Sequence, residues 1–409
     1  MEPLSDTQNE DYRELRAEAD AIAPLLRETR HRLHRCPEKG TCEFKTDEII
    51  CSFLKAHDIP YEMIADTGIL ATVTGRKPGH ANVVGLHADI DALPITEPEH
   101  ADGSCCSLNP GMMHACGHDA HTTILLGTAA LLKANADRWS GTVKCFFQPA
   151  EETVGGAERM VKAGCLRNPD VDYVAGLHVM PQFPVGDIEK RHGKLNASSD
   201  ELHIDVYGRS GHGAYPEKGV DAIVIAASII TAMQSFVSRN ISPLNSAVVS
   251  IGMISGGTGG NIICDHVELT GTLRTLDPET RAFAAERLRK LTADIAEGFG
   301  GTASLRIEPG YDALINSDEL VDLLTDTFTP ILGREHLHEK EYPSLGVEDF
   351  SFFHADHVKG IVFYHLGCTK PGTAAPGGLH DPQFLLDEDC LPLGAFLQYV
   401  LTQKLLQKD

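Results

Sequence analysis

Several short apolar runs in this chain end in the same way, in a knot of acid, imidazole or amide side chains. "ANVVGLHADID" (81–91) closes on His87 and Asp89, "GTVKCFFQPAEE" (141–152) on Glu151 and Glu152, and "VDYVAGLHVM" (171–180) on His178. "GIVFYHLGC" (360–368) repeats the scheme. Runs this short, apolar throughout and bounded by turn residues read as buried strands. Between them lie stretches of helical period: residues 10–35, "KTDEIICSFLKAH" and "TILLGTAALLKAN" (123–135). Strands alternating with helices predict an α/β fold, a mostly parallel sheet sandwiched by helices. Ligands of such sheets bind beyond the carboxyl ends of the strands, which is where these polar knots fall.

From about 187 to 308 the pattern changes. "ELHIDVYGRSG", "SAVVSIGMISGG", "HVELTGTLRTL" and "TASLRIEPGYD" alternate polar and apolar residues, with helices expected at 219–238 and 278–299. That order predicts a small α+β domain spanning 187–308, inserted into a catalytic domain made of 1–186 and 309–409. The apolar run "AIVIAASIITAMQSFVS" (222–238) contains Ser, Thr and Gln and is short for a membrane span, so it reads as a helix buried against a sheet or a partner subunit.

Charge narrows the function classes. With 58 acids against 35 bases the chain carries −23, which repels phosphate backbones and anionic lipid, so neither nucleic acid nor membrane is expected as a partner. Eleven cysteines, odd in number and without a CxxC pair, argue for a reducing cytoplasm rather than a disulfide framework. The acidic start "MEPLSDTQNEDYRELRAEADAIA" has no signal-like apolar core.

"GMMHACGHDAH" (111–121) concentrates three histidines, Cys116 and Asp119. His114, Cys116 and His118 alternate, so an extended backbone would set them on one side. Thiol and imidazole together suit a Zn²⁺-like ion, a cysteine nucleophile, or only a polar loop. Adjacent acids such as Glu151 and Glu152 repel when buried, unless a cation lets one ligate while the other serves as a base. His380 in "PGGLHDPQF" would alone rate as a surface residue.

Eight segments occur in order: "HADIDALP", "MHACGHDAHTTILLG", "FFQPAEETVGGAERMV", "GLHVMP", "GRSGHGAYPEKGVDAI", "GGTGGNIICDHVELTGTLRTLDPETR", "GVEDFSFF" and "GLHDPQF". Together they resemble the amidohydrolase branch of the metallo-aminoacylase and carboxypeptidase family, over residues 20–400. The branch includes hippurate hydrolases, N-acyl-amino-acid deacylases and indole-acetyl-amino-acid hydrolases. The resemblance implies two divalent metal ions per subunit, held by a bridging Cys116 with His118, Glu152, His178 and His380. It implies Glu151 as general base, and hydrolysis of small N-acylated amino acids to a carboxylic acid and a free amino acid. The thiolate favours Zn²⁺, with Mn²⁺, Co²⁺ and Ni²⁺ as alternatives.

The inserted domain resembles the family's lid and dimerisation domain, which implies a homodimer. There His212 resembles the histidine that stabilises the oxyanion, often across to the partner's site, and Asn261 and Arg274 resemble the holders of the substrate carboxylate. His87 stands where this branch usually has Arg and the wider family a metal-binding His, so it could be a ligand, lie just behind one, or be a substitution without consequence. Asp89 resembles the acid that orients a ligand histidine. Cys264 replaces a common proline, and Glu348 and Asp349 match a motif without an assigned role. The competing readings are a dipeptidase or carboxypeptidase of the same family and a hydrolase using Cys116 as nucleophile. A Ser-based triad lacks support, because "GRSGH" (208–212) does not complete GxSxG.

Overall fold

The computed structural model describes residues 6–99, 103 and 105–408. The chain divides into two compact units. The first takes its described residues from Met1–Gly193, Asn316–Glu341 and Phe352–Asp409, the second from Lys194–Ile315 and Tyr342–Ser351. The expected boundaries at 187 and 308 therefore shift. Ile188–Lys190 is a strand of the large sheet, paired with Gly360–Thr369 and with Leu337–Glu339, and this keeps it in the first unit. Residues 342–351 join the second unit because Ser344 N–H reaches Leu195 O (2.8 Å) and Ala197 N–H reaches Gly346 O (3.1 Å).

The first unit is built on an eight-stranded sheet. Its order is Tyr61–Ile64, Gly68–Thr74, Thr142–Gln148, Val83–Asp89, Tyr173–Pro184, Gly360–Thr369, Ile188–Lys190 and Leu337–Glu339. The central strands Thr142–Gln148, Val83–Asp89, Tyr173–Pro184 and Gly360–Thr369 are mutually parallel, and the pairs at the Tyr61 edge are antiparallel. The parallel strands are the continuous apolar runs, and they are buried along almost their whole length. The expected opening helix is two, Asp6–Ala21 and Ala23–His34, with Pro24 in the first turn of the second. Helix Cys390–Leu406, apolar on nearly every side, is buried and packs on helix His118–Ala134.

The second unit is a four-stranded antiparallel sheet in the order Ala247–Gly256, His266–Thr275, Ser198–Tyr207 and Thr302–Pro309. Leu202, Ile204 and Val206 share a core with Ile225, Ile229 and Met233 of helix Ala222–Asn240 and with Ala284 and Leu288 of helix Pro278–Gly298. Asp221 and Asp277 cap those helices, their carboxylates accepting from Ile223 and Val224 N–H and from Thr280 N–H.

Candidate metal centre

The segment 114–118 is not extended, which corrects the expectation drawn from its alternation. Residues 115–117 turn, and His118 opens helix His118–Ala134. Gly117 makes this turn at φ 86°, and a Cβ there would lie 2.3 Å from Val179 Cγ2, so only glycine fits. The turn sends His114 away from Cys116 and His118. Its ring is buried beside His34 with neither nitrogen hydrogen-bonded, and burial pushes it down to about 3. Asp119 also faces away, accepting from Arg30 Nε and His34 Nδ1, each at 2.8 Å.

The loop after strand Thr142–Gln148, the middle of strand Tyr173–Pro184, the turn that opens helix His118–Ala134 and the loop of His380 deliver the remaining donors to one place. His178 thus lies within its strand and not at the end that its sequence predicts. Ligand-capable atoms of Cys116, His118 and His178 lie within 4.8 Å of one another, as do those of Cys116, Glu152 and His380. His118, Glu151 and Glu152 form a third such set. Cys116 Sγ is 3.3 Å from His178 Nε2, and His380 Nε2 is 2.9 Å from Glu152 Oε1. His380 sits at φ 62°, a left-handed position, and its N–H donates to Ala115 O at 2.9 Å, which ties this loop to the cysteine turn.

Buried partners set the imidazole tautomers. His178 Nδ1–H donates to Val179 O at 2.6 Å, leaving the Nε2 lone pair toward Cys116. Burial, then His121, holds His178 well below the usual imidazole value, hence neutral. His118 Nδ1–H donates to Asp91 Oδ1 at 3.2 Å, and its buried Nε2 finds no acceptor of ordinary geometry, Asp89 Oδ2 standing 3.6 Å away. Burial pushes the Cys116 thiol up, and the Cys116 and Glu152 side chains together push His380 up to about 10. Against its burial, Asp89, Cys116 and Asp91 raise His118 well above the usual imidazole value. A thiol, three imidazoles and carboxylates packed this closely are a donor set that fits divalent ions of the Zn²⁺ type, which would take the place of the protons held there. Cys116 belongs to both the set with His118 and His178 and the set with Glu152 and His380.

Some residues take roles that their spacing did not disclose. Asp89 Oδ1 accepts from His121 Nδ1–H at 2.6 Å, and His121 Nε2 accepts from Val179 N–H at 2.8 Å. Asp89 thus bonds directly to His121, and Asp91 to His118. Burial opposes ionisation of Asp89, and His118 and His121 overcome it, holding the carboxyl well below its usual range. Asp91, an acid two residues beyond Asp89 on the same strand end, and His121, three beyond His118 on the helix, carried that much signal in their spacing. His87 Nε2 is 2.9 Å from Gln148 Oε1, its ring packs against Phe353 and Phe363, and burial pushes it down to about 4.

The second unit holds the other named residues. His212 is exposed, pairs with Ile262 across two short strands and lies beside Tyr215. Asn261 joins it, its carbonyl accepting from Gly213 N–H at 2.8 Å. Arg274 is far from both. It pairs with Ser199 and Val248, at the opposite end of strand His266–Thr275 from the loop that carries Asn261. Eight residues of strand separate Arg274 from His266, about 27 Å at the usual rise. Cys264 is buried with Sγ 3.0 Å from His266 O, and Glu348 Oε1 accepts from Phe350 N–H.

A thiol, imidazoles and paired carboxylates gathered beside a largely parallel sheet are the donor set of a metallo-hydrolase. Residues 85–403 match Peptidase family M20/M25/M40, and the chain belongs to that family. It is 35% identical to the N-acetyl-L-cysteine deacetylase of Bacillus subtilis over 93% of this chain and 88% of the relative. It is 38% identical to the hippurate hydrolase of Campylobacter jejuni over 79% and 83%. A crystal structure of a dinuclear metal-binding M20 peptidase from Bacillus subtilis superposes with a TM-score of 0.81, at 31% identity, covering 95% of this chain and all of that one.

Proposed function

We propose that this protein hydrolyses the linear amide of N-acylated amino acids, releasing a carboxylic acid and a free amino acid. The observation that supports the reading is the placement of two adjoining glutamates at one cluster of metal-capable donors. Glu152 sits among Cys116, His118 and His380, and Glu151 reaches the same locus from the other side of one peptide. Two divalent ions bound by Cys116, His118, Glu152, His178 and His380 would polarise the amide carbonyl and acidify a water. Glu151 takes the proton of the attacking water and hands it to the leaving amine. His178 keeps its Nε2 lone pair toward Cys116 because Val179 O accepts from the opposite ring N–H. Asp91 accepts from Nδ1–H of His118, whose Nε2 proton a bound ion would displace.

Chelation followed by a substrate panel tests this. Dialysis against EDTA is expected to lower amide hydrolysis to below about 1%, with recovery on adding Zn²⁺, Mn²⁺, Co²⁺ or Ni²⁺. Released amine is read across acetyl-, benzoyl- and indole-acetyl-amino acids and dipeptides, and the dipeptides score the peptidase reading that the M20 structural neighbour favours. Activity that survives chelation and dies with iodoacetamide would instead establish Cys116 as a nucleophile. Its buried, protonated thiol disfavours that chemistry.

The same proposal includes a homodimer formed through the second unit. Strand Ala247–Gly256 is a sheet edge carrying exposed Met253 and Ile254, and helix Ala222–Asn240 exposes Ile223 and Val224. That helix is long and apolar enough to cross a membrane, yet only a third of its apolar window is buried in this chain, as suits a face that a second copy covers. The distance between Asn261 and Arg274 also supports it, since one chain cannot bring both to one substrate carboxylate. His212→Ala and Glu151→Gln chains, each inactive alone, are expected to regain about a quarter of wild-type turnover when co-expressed, because half the dimers are mixed and one of their two sites is whole. Co-expressed chains that stay inactive would place His212 in its own subunit's site.

A further inference from the structure

The turn that presents Glu151 and Glu152 is held by two carboxylates from elsewhere in the first unit. Ala150, just before Glu151, has φ 59°, a left-handed conformation that residues with a side chain avoid. Its N–H donates to Glu43 Oε1 at 2.8 Å, and the other Glu43 oxygen accepts from Thr67 Oγ1 at 2.6 Å. On the far side of Glu151, Glu152 N–H donates to Asp91 Oδ2 at 3.0 Å, while Asp91 Oδ1 accepts from His118 Nδ1. Glu43 and Asp91 are both fully buried. The chain closes tightly around the turn. A Cβ on Gly156 would lie 1.7 Å from Pro149 O, and one on Gly40 would lie 2.2 Å from Thr153 Oγ1 and 2.8 Å from Ala150 Cα.

We propose that Glu43 and Asp91 are positioning residues that clamp the backbone on either side of Glu151, so fixing where Glu151 and Glu152 aim, and that Asp91 also sets the tautomer of His118. This rests on the reading of Glu151 as base and Glu152 as ligand. The clamp works by matching donors to acceptors, and the two carboxylates differ in what they tolerate. Both partners of Asp91 are N–H donors, so an amide there must turn its NH₂ toward one of them. Facing Glu152 N–H, it releases the turn. Facing His118, it forces the ring proton onto Nε2, the atom needed for the ion. One partner of Glu43 is a hydroxyl, which can reverse and accept. A glutamine there can keep its carbonyl on Ala150 N–H and give its NH₂ to Thr67.

The test uses the full-length, metal-loaded protein with Asp91→Asn, Glu43→Gln and Glu43→Leu, read by kcat, KM, metal transfer to a chromophoric chelator, and melting temperature. Asp91→Asn is expected to lower kcat by about 10–100-fold at nearly unchanged KM and to release metal at least about tenfold faster. Glu43→Gln is expected to stay within about threefold of wild type while Glu43→Leu loses about tenfold or more in kcat. A role confined to stability would lower the melting temperature and leave kcat per folded molecule intact in all three, which overturns the proposal. So would a Glu43→Gln variant as impaired as Glu43→Leu, because charge rather than hydrogen-bond matching would then matter. If Glu43→Leu or Asp91→Asn does not fold, Thr67→Val, which only frees Glu43 on its outer side, carries the test. A drop in its kcat supports the clamp and a wild-type value sinks it. If Glu151→Gln proves fully active, the reading of the base has failed, and metal release from Asp91→Asn still decides whether Asp91 holds His118 and Glu152.

Discussion

Glu151→Gln is expected to keep both metal sites filled and to lower turnover by about 10²–10⁴-fold, the range for removing a positioned general base. Glutamine matches the shape of glutamate and cannot take a proton. Glu151 is buried beside His118 and Glu152, and on the reading of it as base its replacement removes proton transfer and spares the donors Cys116, His118, Glu152, His178 and His380. The measurement is metal content by elemental analysis beside kcat on the best substrate of the amine-release panel. A variant with two ions per chain and wild-type kcat would leave the reaction without its base, and the assignment would fall.

Cys116→Ala is expected to do the reverse, removing the metals and activity with them. Its sulfur is the member common to the set with His118 and His178 and the set with Glu152 and His380, so one substitution strips a donor from each ion. Metal content is expected to fall from two ions per chain to near none, and turnover to below about 1%. Cys116→Asp separates ligation from nucleophilic chemistry. A carboxylate has two oxygens with which to bridge divalent ions and restores part of the metal content and rate, whereas it cannot restore a thiol nucleophile. Full activity in the alanine variant would remove the bridging sulfur from the mechanism.

These outcomes rest on residues whose place in the fold is legible in the order of amino acids. His178, Glu151 and Glu152 end apolar runs, and apolar runs of that length become buried parallel strands whose carboxyl ends share one edge, although strand Tyr173–Pro184 runs on past His178. His118 and Cys116 are legible as a pair, but alternation by itself sets His114 with them, and the turn at Gly117 removes it. That turn requires glycine, because Val179, on a strand far along the chain, occupies the space a side chain at 117 would need. His87 shows the same limit, since its partner Gln148 lies on the adjacent parallel strand, and pairing across strands leaves no local signal. Asp89 and Asp91 are two residues apart on one strand end, yet one bonds His121 and the other His118.

What the amino-acid order determined alone was the chemistry available and its coarse address: a thiol, imidazoles and paired acids at strand ends, and an inserted domain of alternating strands. Periodicity and turn residues act over a few positions, and a single chain suffices to read them. Which nitrogen of each histidine faces inward, which acid backs which ligand, and how far Arg274 stands from Asn261 were decided only by packing. Several of those choices depend on atoms far away in sequence, 27 residues for Asp91 and His118 and 107 for Glu43 and Ala150. Buried donors and acceptors in a dry interior must find partners within the protein, so the partner is settled only once the strands have met.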